Sequence, residues 1–219
     1  MKNKKCIIID FDSMNNSLST LLGIKKYKEK ITKGIKKNNL IDHNQKIEKF
    51  IIKTNSKIDL LPGMNLILDS NYKLSYKKIG EILKELKNNY DTIIFDTAAY
   101  NFFDYTREII NLSNQTIFIS GANLLELKKS ERLLNIYTDD WEVTPNEINI
   151  VFNKCTGKSI DDEILKEMFK KYNILGKIQL NDYYDLIINK NMTEKVGIYK
   201  EIENIKKEII KEKYHGINS

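Results

Sequence analysis

Lys5-Cys6-Ile7-Ile8-Ile9-Asp10-Phe11-Asp12-Ser13 is the stretch on which the fold turns. Its apolar residues run without in-and-out alternation and stop at a carboxylate. That continuity predicts a strand covered on both faces, as in a parallel sheet between helix layers. Five further runs read the same way: 58–62, 91–96, 115–120, 147–153 and 174–180. The segments between them are longer and amphipathic. In 76–90 the apolar residues Ile79, Ile82, Leu83 and Leu86 recur at three and four, which is one face of a helix. Similar patterns occupy 104–112, 124–137, 160–172 and 199–214. Strand, crossover helix and strand, repeated, predict an α/β fold: a doubly wound, mainly parallel sheet flanked by helices. No repeat or linker divides the chain, so the expectation is one domain over residues 1–219. The stretch 25–52 fits this rhythm least and is expected to form two helices.

Composition narrows the function classes. Of 219 residues, 41% are hydrophobic and 30% charged, enough to build a core. Only 2 prolines and 9 glycines occur, too few for a turn-dense all-β protein or a linker-rich one. No run reaches the roughly 18 apolar residues of a membrane span, and the expected location is the cytoplasm. Cys6 and Cys155 are too far apart for a redox pair or a cysteine zinc site, and Cys6 reads as a small buried hydrophobe. His43 and His215 are equally isolated, which sets aside metal clusters and Ser-His-Asp relays. The net charge of +6 permits weak, nonspecific contact with DNA or an anionic membrane surface. The densest basic stretch, Lys25 to Lys37, reads as a solvated helix face or as such a patch. The stripe Ile202, Ile205, Ile209 and Ile210 reads as a core-packing face, or as a membrane-surface face.

In open α/β sheets ligands bind beyond the carboxyl ends of the strands. The first strand ends at Asp10 and Asp12, and the third at Asp96, each followed by small or polar residues. One such acid is explained by capping the next turn. Carboxylates at the tips of two parallel strands are an arrangement that holds a hydrated Mg²⁺ near phosphates.

These motifs resemble the MinD/ParA family of P-loop ATPases. Cys6 to Asp12, followed by Ser17 to Ile24, is similar to the family's second strand and the helix after it. Leu60-Leu61-Pro62-Gly63 resembles its third strand end, and Tyr90 to Thr97 its Walker B strand. Ile150-Val151-Phe152-Asn153-Lys154 resembles the strand whose Asn-Lys end lies beside the base, and Ile174 to Ile178 the last core strand. The resemblance implies Asp10 and Asp12 near the metal and the attacking water, Asp96 holding Mg²⁺ through water, and Asn153 with Lys154 at the adenine of ATP or ADP. It also implies a dimer.

One family element has no counterpart. Members carry a glycine-rich G-x-x-x-x-G-K-[ST] loop about thirty residues ahead of the Asp-x-Asp motif, and its amides cradle the phosphates. Here nine residues precede Asp10, and the closest glycines, Gly23 and Gly34, are eleven apart rather than five. Gly157-Lys158-Ser159 imitates the end of such a loop but has Phe152 where the first glycine belongs, so it reads as a turn and helix start. Ala98-Ala99 replaces the usual prolines after Asp96, and Ser13-Met14-Asn15 lacks the Arg of the family's tyrosine kinases. Tight ATP or ADP binding by this chain alone is therefore not expected. Three readings follow. The first is a degenerate, pseudo-ATPase positioning or segregation module, as in the TadZ/CpaE-like members, acting as a homodimer or with a partner protein. The second is a portion of an active ATPase whose loop lies upstream. The third is a DNA- or membrane-surface module.

Overall fold

A computed structural model describes residues 5–12, 18–21, 24, 47–54, 58–62, 76–98, 104–181 and 202–209. Lys25 to Lys37, Ser13 to Asn15, Gly63, Ala99, Ile210 and both histidines lie outside these. The chain forms two compact units, Met1–Leu112 and Ser113–Ser219.

The first unit is built on the strands β1 (Cys6–Phe11), β2 (Ile58–Leu61) and β3 (Thr92–Thr97), in the order β2-β1-β3 and parallel throughout. Side chains alternate across the sheet, so register decides what shares a face. Ile7, Ile9 and Phe11 point to the side covered by α2 (Tyr76–Lys87) and α3 (Asp104–Leu112). Ile79, Ile82, Leu83 and Leu86 of α2 close that core together with Tyr105 and Ile109 of α3, the spacing that the sequence pattern predicts. The chain leaves β1 toward β2 and returns on β1's other side as β3. The order thus reverses around β1, the place where open α/β sheets put their crevice. A short helix, α1 (Leu18–Leu21), follows β1, and the described part of 25–52 contains a 3₁₀ turn at Ile47–Phe50.

The second unit carries β4 (Thr116–Gly121), β5 (Ile148–Cys155) and β6 (Asn173–Gln179), in the order β4-β5-β6, again parallel. Helix α4 (Leu124–Asn135) runs on into a π turn at Ile136–Asp140, where the sequence pattern stops at Tyr137. Helix α5 (Asp162–Met168) is shorter than the predicted 160–172, since the chain caps at Asp161 and leaves the helix at Phe169. Phe118 meets Tyr137 edge-on at 6.1 Å and Phe152 meets Phe169 at 5.5 Å, which fixes one face of the sheet against α4 and α5. Over β5 and β6 the other face is covered by a helix at 202–209, whose Ile205 packs on Val151 and Leu175. Ile205 and Ile209 thus have the core-packing role expected of the stripe, whereas Ile202 departs from it at 47% exposed.

All six predicted strands are present, displaced by one or two residues at some ends. Their expected two-sided cover needs correcting for two of them. Ile94 on β3 is 45% exposed, and Ile117 and Ile119 on β4 are 46% and 64% exposed. Both are edge strands of their sheets among the described residues, so each has one open flank. Cys6 also departs from the expected buried position: it is half-buried, and its thiol is pushed up by burial and by the nearby Asp59 charge. No helix among the described residues is long and apolar enough to cross a membrane.

Candidate functional site

At the carboxyl end of the first sheet, Asp10 and Asp96 are register partners on adjacent parallel strands. Asp10 is only 2% exposed, held where β1 passes into its loop. Its Oδ1 accepts the Asp12 backbone N–H at 3.2 Å, and the Leu18 N–H opening α1 also donates to the carboxylate. Those bonds favour the charged form but are outweighed. Burial, then the Asp96 charge, push the Asp10 carboxyl up to about 6. Asp96 is exposed on the edge strand and is also raised, first by desolvation of its carboxyl and then by the Asp12 charge. Tyr105 ties this end down by donating from its hydroxyl to the Phe11 carbonyl at 3.2 Å, and its ring lies 5.7 Å from that of Phe11.

Like charges crowded at one strand end with raised proton affinity are also an affinity for a cation. Carboxylate oxygens are hard donors of the type Mg²⁺ takes, one or two at a time with water completing the octahedron. Among the described residues no three acidic, His or Cys side chains converge as a cage. The donor set therefore suits a hydrated Mg²⁺ rather than a fully protein-bound ion.

The second sheet ends differently. Gly121 of β4 and Asn153 of β5 are register partners, and β5 continues through a register shift to Cys155. Lys154 stands in the left-handed region with φ 55°, a conformation that costs a lysine about 1 kcal/mol or more. Its N–H donates to the Asn153 Oδ1 at 2.8 Å. The following loop closes on itself. Thr156 N–H donates to Ser159 Oγ at 2.8 Å, Lys158 N–H to Thr156 Oγ1 at 3.2 Å, and Ser159 N–H to the Thr156 carbonyl at 3.0 Å. Amides used this way do not cradle an anion. Gly157-Lys158-Ser159 is a turn, as its sequence context predicts, but helix α5 starts only at Asp162.

One pair at this end escaped the sequence reading. Asn123 caps α4 by accepting the Glu126 N–H at 3.0 Å, and its Nδ2 donates to Glu126 Oε2 at 2.8 Å. The folded-back carboxylate lies so close over Gly121 that an added Cβ would sit 1.5 Å from Oε2. The signal was available as Asn-x-x-Glu before an apolar run, a variant of the capping box.

Comparison with known proteins places this geometry. A family described as AAA domain matches residues 1–136. The plasmid partition protein of Borrelia burgdorferi bound to AMPPNP matches at TM-score 0.74 and 23% identity, over 96% of this chain and 88% of that one. MinD in the MinC:MinD cell division complex of Aquifex aeolicus matches at TM-score 0.72 and 16% identity, over 94% and 84%. The septum site-determining protein MinD of Pyrococcus horikoshii, complexed with Mg-ADP, matches at TM-score 0.69 and 17% identity, over 99% and 87%. No curated protein matches. The match to residues 1–136 covers more than half of the 219-residue chain, which therefore belongs to the AAA-domain family and carries it on a MinD/ParA-type P-loop NTPase fold.

Proposed function

We propose that this chain is a MinD/ParA-type domain with a degenerate or incomplete nucleotide site, serving to position or segregate a cargo, either DNA or a cell-surface or secretion apparatus. In this reading the two units act as one domain in the cytoplasm and assemble as a homodimer or with a partner protein. Contact with DNA or membrane surfaces is weak and nonspecific. The observation that carries the reading is an imbalance. The metal-side carboxylates stand together at the β1 and β3 ends. No stretch of the sequence has the spacing of a phosphate loop, and in the Gly-Lys-Ser turn the Lys158 and Ser159 amides are bonded within the turn.

Each residue then has a defined part. Asp96 would hold Mg²⁺ through water, and Asp10 and Asp12 would orient the water shell. Asn153 and Lys154 would contact the base of ATP or ADP. When bound, Mg²⁺ neutralises phosphate charge and organises water. A cradle contributes several charge-assisted bonds of roughly 1.5 to 3 kcal/mol each. Without three of them, affinity falls by about 10³ to 10⁶.

Calorimetric titration of the 219-residue chain with ATP and Mg²⁺ is the test. The expected result is no binding tighter than about 100 µM, on the affinity scale above. Micromolar binding with ATP turnover would reject the degenerate site in favour of a working ATPase.

A further inference from the structure

Behind the acids at the carboxyl end of the first sheet lies a layer of rings. Side chains alternate along a strand, so the register partners Asp10 and Asp96 share one face while Phe11 and Phe95 point to the other. Phe11 stacks on Phe95 with centroids 5.7 Å apart and planes 16° from parallel, and Tyr105 of α3 lies 5.7 Å from Phe11. Phe11 stands between Asp10 and Asp12 in the chain, and Phe95 directly precedes Asp96. Each strand ring is thus one residue from an acid, and to hold the rings is to hold the acids.

Tyr105 is the member of this layer that does not belong to the sheet. It is 4% exposed, and its hydroxyl donates to the Phe11 carbonyl at 3.2 Å. Phenylalanine would serve the ring packing as well. The hydroxyl adds a directed bond to main chain at the last residue of β1. Helix α3 follows β3 in the chain, so it is joined covalently to the strand that bears Asp96 and by this bond to the strand that leads into Asp12. The tether has something to oppose. The Asp96 charge raises the proton affinity of Asp10, and the Asp12 charge that of Asp96, so repulsion works to part the strand tips. A cation that needs carboxylates together binds best where the fold already holds them so.

We infer that Tyr105 is a positioning residue for cation binding: its hydroxyl bond to Phe11 keeps Asp10 and Asp12 at the β1 tip in place beside Asp96 and couples α3 to the occupancy of that site. The inference rests on the reading of this strand end as a Mg²⁺ site and extends it to a residue outside the acids. By linkage the coupling runs both ways, since a tether that favours the cation is itself firmed when the cation is bound.

The test uses the full 219-residue chain without nucleotide. Mn²⁺ alone stands in for Mg²⁺, because both take carboxylate and water oxygens and free Mn²⁺ has an EPR signal that binding removes. Wild type is expected to take up Mn²⁺ and Asp96→Asn to lose most of that uptake. Tyr105→Phe, which keeps the ring, should weaken uptake about three- to tenfold, the span of one hydrogen bond. Ile109→Val trims the same α3 core by a comparable amount in stability and should leave uptake unchanged. Saturating Mg²⁺ should slow hydrogen exchange at the α3 amides in wild type and not in Tyr105→Phe. Wild-type uptake in Tyr105→Phe, or an equal loss in Ile109→Val, would overturn the assignment and leave the metal reading standing. No wild-type uptake at about 10 mM, or full uptake by Asp96→Asn, would overturn both. Micromolar ATP binding with turnover would reject the degenerate site alone, so the two readings fail separately.

Discussion

At the end of the first sheet a buried carboxylate, Asp10, is held beside two others. At the end of the second, Lys154 holds a left-handed backbone beside the amide of Asn153. Both are departures from what folding alone would choose, in different currencies. The first departure is electrostatic, so it changes with pH and would be relieved by a cation. The second is conformational, and neither pH nor salt touches it.

The largest effect that would separate the two is at Asp10. Its carboxyl binds a proton more tightly in the folded chain than in the unfolded one, so the folded state is favoured at low pH. That advantage drains away as pH rises from the ordinary carboxylate value near 4 through about 6. A two-unit shift corresponds to roughly 3 kcal/mol at most. Asp10→Asn should therefore stabilise the metal-free chain at pH 7.5 by about 1 to 3 kcal/mol, and flatten the fall in stability between pH 4 and 7. Urea midpoints of both proteins across that range read it directly. If the variant is less stable at pH 7.5, the bonds from Asp12 and Leu18 outweigh the crowding, and the electrostatic half of the contrast is lost.

How much of this could be read before any coordinates differs between the two ends. The tip carboxylates were legible because each closes an unbroken apolar run, and parallel runs put their carboxyl ends at one edge. Helix 104–112 was legible to the residue because Asp104 begins it and Leu112 ends its apolar period. The exposure of Ile94 and Ile119 was not, since an edge strand and a central strand have the same local pattern and only the neighbour list separates them. Lys154 was hidden for a related reason. Its conformation follows from the register shift between Phe152 and Cys155, a property of the pairing with β6 rather than of the residue. Asparagine at 153 would have been the better sequence guess for a left-handed position. The functional parts given to Asp10, Asp12, Asp96, Asn153 and Lys154 rest on the family resemblance and remain proposals.

The conformational half gives a smaller effect of the same sign. Lys154→Gly should stabilise the second unit by about 1 kcal/mol, because glycine adopts φ near 55° without the side-chain penalty. The gain should be the same at pH 5 and pH 7.5, unlike that of Asp10→Asn. A gain that varies with pH would mean the lysine charge, not the backbone, sets the energy at this strand end.

The smallest effect concerns the way β4 meets α4. Gly121→Ala places a methyl where the Glu126 carboxylate now lies, but that carboxylate is the far end of a flexible side chain and can swing into water. The move breaks the Asn123 Nδ2 bond to Oε2 and leaves the backbone cap from Asn123 Oδ1 to the Glu126 N–H intact. The cost should be about 0.5 kcal/mol, the lower end of what a lost cap contributes. In a Glu126→Ala background the same substitution should cost nothing, since the obstruction is gone. If the cost persists there, the glycine is needed by the strand backbone itself. The second sheet would then hold two conformationally constrained positions in register, Gly121 beside Asn153-Lys154, and the contrast with the charged end of the first sheet would sharpen.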